Sequence, residues 1–209
     1  MGWSVVSALT LIAMLVMNVL ANSIPIGGNT TGDISDQYPT LFTPAGFTFS
    51  IWGVIYLLLV VFVVLLFFFG DVLTAHKTTI LILFNAINLL NIAWLLSWHT
   101  NRILLSTIVM VALLLCLLLV VSLVSRDDTL AYATFGIYTG WISVATIANI
   151  AIWIVQADLS IFMTHQTFWL VLLLGVTLLV GGYMLIQEKN IYYAGVFVWA
   201  YIGIAARFL

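Results

Sequence analysis

Charge is nearly absent from this sequence. Asp, Glu, Lys and Arg make up 6% of its 209 residues, against about a quarter in a soluble globular domain. Five basic residues and a formal net charge of −2 leave no surface that could neutralise a nucleic-acid backbone. Cysteine occurs once, as Cys116 inside an apolar run. That excludes an intrachain disulfide and a thiolate metal cluster, and leaves a small packing residue as the expected role. Both lysines, Lys77 and Lys189, lie between apolar runs, which excludes a retinal Schiff base in the last helix. His76, His99 and His165 are scattered without metal-ligand spacing, and no carboxylate falls within an apolar run. No catalytic or metal-binding constellation is therefore expected, and each histidine is expected to be solvated or hydrogen-bonded.

What fills the chain is hydrocarbon. It is 65% hydrophobic with a mean hydropathy of +1.27, and apolar runs of about 20 residues, the helical span of a bilayer core, recur along almost all of it. Seven transmembrane helices are expected, at about 3–22, 44–69, 78–98, 103–124, 130–155, 162–186 and 191–209. The fold class is all-α, a polytopic membrane helical bundle, with its termini on opposite sides. The small residues ending the first run, Leu20-Ala-Asn-Ser23, suggest a signal peptide. No basic residue precedes that run, however, so a retained helix is expected. Lys77, Arg126 and Lys189 fall on the N-terminal side and Arg102 and Arg207 on the other, which favours an N-terminus inside a cell membrane. The loop at 23–42 holds Pro25, Gly27, Gly28, Gly32, Asp33, Asp36 and Pro39. That composition rules out a helix through it, and the length suits a lid.

Polar residues inside the spans either hydrogen-bond between helices or face a cavity. The third span carries Asn85, Asn88 and Asn91 ahead of Trp94 and Trp98; the fifth carries Ser143, Thr146 and Asn149 ahead of Trp153. The fourth span is almost wholly Leu, Val and Ile and is expected to be the most lipid-exposed. Trp3 and Trp98, at helix ends, suit headgroup anchoring. Trp52, Trp94 and Trp141 lie further in and suit it less.

Three segments together carry a resemblance. They are Thr43-Pro-Ala-Gly-Phe-Thr-Phe49 with Trp52-Gly-Val-Ile-Tyr56, then Leu90-Asn-Ile-Ala-Trp94, then Trp141-Ile-Ser-Val-Ala145 through Asn149-Ile-Ala-Ile-Trp153. In this order they resemble the TspO/MBR family of tryptophan-rich sensory and translocator proteins. Phe42 stands where the family usually has Trp, and Ala45 where it has a second Pro. The resemblance implies a five-helix core over 1–158 with a lid loop at 23–42. Residues 159–209 would add two helices of unknown role. It further implies a binding or sensing protein for a planar apolar ligand, a tetrapyrrole (porphyrin or heme) or a sterol-like molecule, between spans 2, 3 and 5. Phe49, Trp52, Tyr56, Asn91, Trp94, Asn149 and Trp153 match the family's ligand-binding positions, with Phe42 and Pro44 at the rim. Tryptophan-assisted porphyrin breakdown, reported for some members, is a minor branch of this reading. No covalent cofactor, metal or nucleic-acid partner is implied; membrane lipid, the small molecule and a second copy forming a dimer are. A sterol motif can also be drawn through Val198, Tyr201 and Arg207. A small-molecule carrier or channel, and a ligand-free assembly subunit that uses the last two spans, remain open beside the binding reading.

Overall fold

The computed structural model describes residues 2–24, 28–38, 40–69, 72–159 and 164–209. Pro25, Gly27, Pro39, Asp71 and the expected start of the sixth span at Phe162 lie outside these. Among the described residues every regular element is a helix. They are α1 (Gly2–Ser23), α2 (Thr31–Gln37), a 3-10 turn (Gly46–Ser50), α3 (Ile51–Phe68), α4 (Lys77–His99), α5 (Ile103–Leu123), α6 (Thr129–Gln156), α7 (Gln166–Ile186) and α8 (Ile191–Ala206). Among the described residues six helices are long and apolar enough to cross a bilayer, and α8 is apolar but shorter, with 16 residues. The protein is a polytopic helical membrane bundle.

Five helices close a ring: α1 packs on α4, α4 on α5, α5 on α6, α6 on α3, and α3 back on α1. Ile55, Leu59, Phe62, Phe84, Ile87, Phe135 and Tyr138 fill its interior with no exposed surface. α8 lies outside the ring against α6, and α7 packs on α8. The seam between α6 and α8 requires a glycine. A Cβ on Gly140 would stand 2.9 Å from the Tyr193 carbonyl oxygen and 3.0 Å from Val196 Cβ, closer than van der Waals contact allows. Beside this contact, the Ser143 and Tyr193 hydroxyls meet at 2.8 Å.

Three expectations need correction. The 23–42 loop does contain a helix, α2, although its Gly and Asp content argued against one. A reciprocal cap starts it: Thr30 Oγ1 accepts from the Asp33 N–H at 3.2 Å, and Asp33 Oδ2 accepts from the Thr30 N–H at 2.7 Å. Two of the orphan N–H groups at the helix start are satisfied in this way. The second span does not begin as an α-helix at Pro44. Ala45 is extended, and its N–H donates to the Gly203 carbonyl of α8 at 2.9 Å, so the regular helix waits until Ile51. Finally, α5 is not the most lipid-exposed helix. It is wedged between α4 and α6 with 39% of its span buried, against 17% of α7. Lipid tails and protein interiors are equally apolar, so an all-aliphatic helix does not announce which of the two it faces.

Candidate functional site

A cavity of about 570 Å³ opens on the loop side of the ring. Its deep end is made by Asn18 of α1 and Tyr56 of α3, and one wall by Phe49, Trp52 and Trp94. Thr43 and Pro44 contribute to its rim, and Thr31, Ser35 and Asp36 of α2 lie over it. Arg207, at the C-cap of α8, completes the lining. Behind the same aromatic wall a second space of about 50 Å³ reaches Met110, Trp141 and Asn149. Sites for small organic ligands run to about 300–1,000 Å³. The first cavity can hold such a ligand and the second holds no more than water.

The wall is a ladder of stacked rings. Tyr56 stacks on Trp52 at 5.5 Å and 25°, Trp52 on Trp94 at 6.4 Å and 26°, and Trp94 on Trp98 at 6.0 Å and 30°. Trp141 meets Trp52 edge-on at 6.3 Å, and Phe49 meets Trp141 edge-on at 5.8 Å. One-turn spacing makes this possible: Trp52 and Tyr56 share a face of α3, and Trp94 and Trp98 a face of α4. Each such contact adds about 0.5–1.5 kcal/mol beyond burial. The indole N–H groups of Trp94 and Trp141 are buried without a protein acceptor, which costs free energy unless a bound group accepts from them.

Under the ladder four helices are tied by amides and phenols. The Tyr56 hydroxyl donates to Asn18 Oδ1 at 2.6 Å, Asn18 Nδ2 to Asn91 Oδ1 at 2.9 Å, and Asn91 Nδ2 to the Tyr138 hydroxyl at 3.1 Å. α2 is held from α4. Trp98 Nε1 donates to the Thr31 carbonyl at 3.2 Å, and His99 Nε2 lies 3.1 Å from Thr31 Oγ1. His99 Nδ1 lies 3.1 Å from the Asn29 carbonyl. A carbonyl only accepts, so Nδ1 carries a proton and the ring is oriented by both contacts. On the lid the Thr30 backbone N–H and hydroxyl hold the Asp33 carboxyl below the usual carboxylate range.

The family model described as TSPO-like protein matches residues 4–208. The chain belongs to the TSPO-like family. The match extends through α7 and α8 as well as the five-helix ring. No curated protein and no solved structure matches.

In this TSPO-like protein the positions singled out in the sequence separate into groups. Phe49, Trp52, Tyr56 and Trp94 come together on the large cavity, with Pro44 at its rim. Asn149 lines the small space and exchanges hydrogen bonds with Ser106 at 3.1 Å. Asn91 lies beneath the ladder and Trp153 is half-buried against the core; neither lines these two cavities. Phe42 is buried in a cluster with Phe197 and Ala200 of α8 rather than at the rim. Trp98, expected as a headgroup anchor, is 4% exposed and completes the ladder, whereas Trp3 is 44% exposed and fits anchoring. Val198, Tyr201 and Arg207 form no common site. Val198 is exposed, Tyr201 is bonded to Leu174 and Thr177, and Arg207 faces the cavity.

Sequence reasoning missed Asn18, the α2 contacts and Arg207 as lining residues. Asn18 carried a usable signal, since it lies inside the apolar run of α1 between Met17 and Val19 and an intramembrane amide needs a partner. Arg207 carried no such signal, because its position depends on how α8 docks.

Proposed function

We propose that this TSPO-like protein binds a planar, largely apolar small molecule, a tetrapyrrole or a sterol-like compound, in the cavity beneath α2. The observation that carries the reading is the stacked wall of Trp52, Trp94 and Tyr56 along a space of about 570 Å³. Flat π-faces suit a flat ligand, and the few polar groups around them suit its edges. Binding is favoured over conduction because Met14, Ile55, Leu59 and Phe62, beyond the deep end, are fully buried. Of the matched positions that do not line the cavity, Asn91 lies in the network beneath the wall and Asn149 lines the small space behind it.

The test is a titration of purified protein with protoporphyrin IX, read by tryptophan quenching, beside flux measurements in proteoliposomes. Saturable quenching that Trp52→Ala weakens at least about tenfold, the scale of one lost aromatic anchor, is the expected result. Substrate-dependent flux with unchanged quenching in that variant would turn the reading toward a carrier.

A further inference from the structure

We propose that Arg207 selects for a ligand bearing a carboxylate, and that its guanidinium latches α2 to α8 when no such ligand is bound. The proposal rests on the cavity reading above and narrows its ligand class.

Among the described residues lining the cavity Arg207 is the single cation and Asp36 the single anion. The guanidinium is brought there by a docked helix. Besides the Gly203–Ala45 bond, Trp199 Nε1 donates to the Thr48 carbonyl at 2.9 Å, and Gly203 lies against Thr48 so closely that a Cβ would collide with its hydroxyl. These contacts hold the last turns of α8 against the segment that forms the rim. Arg207 then donates to the Thr43 carbonyl at 3.4 Å and stands 3.8 Å from Asp36 Oδ1.

The pair is asymmetric. The Asp36 side chain is 71% exposed and that of Arg207 33%. An aspartate largely in water gives up little hydration to its partner and holds it weakly. A guanidinium has five N–H donors in a fork that matches a carboxylate, and two long contacts leave most of that fork unused. A carboxylate on the edge of a ligand stacked along Trp52 would meet the fork on its less hydrated side and displace Asp36. The Asp36 end of α2 would then be released from α8 while Trp98 and His99 still hold its start. A neutral sterol would leave the latch closed, so the proposal favours an aromatic acid over a neutral lipid.

The probes are protoporphyrin IX and its dimethyl ester, which differ only in the carboxylates. Full-length protein in a neutral detergent is titrated with each. The acid is expected to bind at least about tenfold tighter, the scale of a charge-assisted hydrogen-bonded pair. Arg207→Gln should bring the acid down to the affinity of the ester, and Asp36→Asn, which removes the competitor, should tighten the acid. An ion pair that served stability alone would move both variants in the same direction, and that result overturns the proposal. Saturable binding of acid and ester with equal affinity overturns it as well while leaving the cavity reading in place. Binding of neither probe overturns the tetrapyrrole form of the cavity reading, and this proposal with it.

Discussion

Two aromatic clusters occupy the same helices and are built in opposite ways. Phe62 follows Trp52 by ten residues on α3, and Phe84 precedes Trp94 by ten on α4. Phe62, Phe84 and Phe135 of α6 meet pairwise at 5.2–6.2 Å with ring planes 67–82° apart, and none has exposed surface. The Trp52 ladder runs at 25–30° instead. Edge-to-face rings interlock in three directions and consume the space between helices. Near-parallel rings make a sheet, and a sheet has a face left over. The phenyls carry no polar atom, whereas Trp94 and Trp141 each bury an N–H that finds no protein acceptor. One cluster is complete by itself, and the other leaves two donors unsatisfied.

The sharpest way to break that contrast is to truncate one ring in each cluster. Phe84→Ala should destabilise by about 3–5 kcal/mol, the usual cost of emptying an aromatic core site, read by unfolding in a denaturing-detergent titration. Trp52→Ala should cost clearly less stability but abolish most porphyrin quenching. Equal losses of stability, with binding intact in the tryptophan variant, would show that both clusters are core.

Next in size is Asn18→Leu. It removes the acceptor of the Tyr56 hydroxyl and the donor to Asn91, at about 0.6–2 kcal/mol for hydrogen bonds inside a membrane. If the network only holds helices together, stability should fall and porphyrin affinity should not. If it shapes the deep end of the cavity, both should fall.

The helices were largely legible in the sequence, within a residue or two at most ends, because Arg102, Arg126–Asp128 and Gln187–Asn190 punctuate otherwise apolar runs. Half of the site was legible as well: Trp52 and Tyr56 at helical spacing, and Trp94 in the third span, meet on one wall. What could not be read depends on which way an apolar helix faces. α5 turned out to be wedged inside the bundle and α8 to close the rim, and neither follows from Leu, Val and Ile in a solvent as apolar as they are. The short α2 was readable but missed, because Thr30-Thr-Gly-Asp33 carries a capping-box spacing that the neighbouring glycines outweighed.

Smaller effects concern the lid. Trp98→Phe keeps a ring in the ladder but removes the N–H that reaches the Thr31 carbonyl, a loss of about 1 kcal/mol. Hydrogen exchange over residues 31–37 should quicken while Trp52 quenching stays near that of the unaltered protein. A loss of quenching of the size seen in Trp52→Ala would extend the ligand wall to Trp98.

Smallest is the effect of acid on Asp33. Its folded carboxyl lies below the ordinary range because Thr30 donates to the ionised form. Its contribution is therefore complete above the ordinary carboxylate range and is lost as pH falls through the lowered value. Exchange in α2 should accelerate only under acid, and Asp33→Asn should abolish that step. A pH step that persists in the variant would assign it to another group.

The brevity of α8 has a consequence for the lipid around it. Its 16 residues span about 24 Å, against about 30 Å of hydrocarbon. Where such a helix crosses the bilayer, about 6 Å of mismatch is left to bilayer thinning or to a charged end reaching for the headgroups. Charged residues flank both ends, Glu188 and Lys189 before the helix and Arg207 at its C-cap, and Arg207 is the one that lies at the cavity. Membrane thickness thereby becomes a variable of the proposed binding. A thicker bilayer should draw Arg207 toward the headgroups and away from the aromatic wall, and a thinner one should leave it over the cavity.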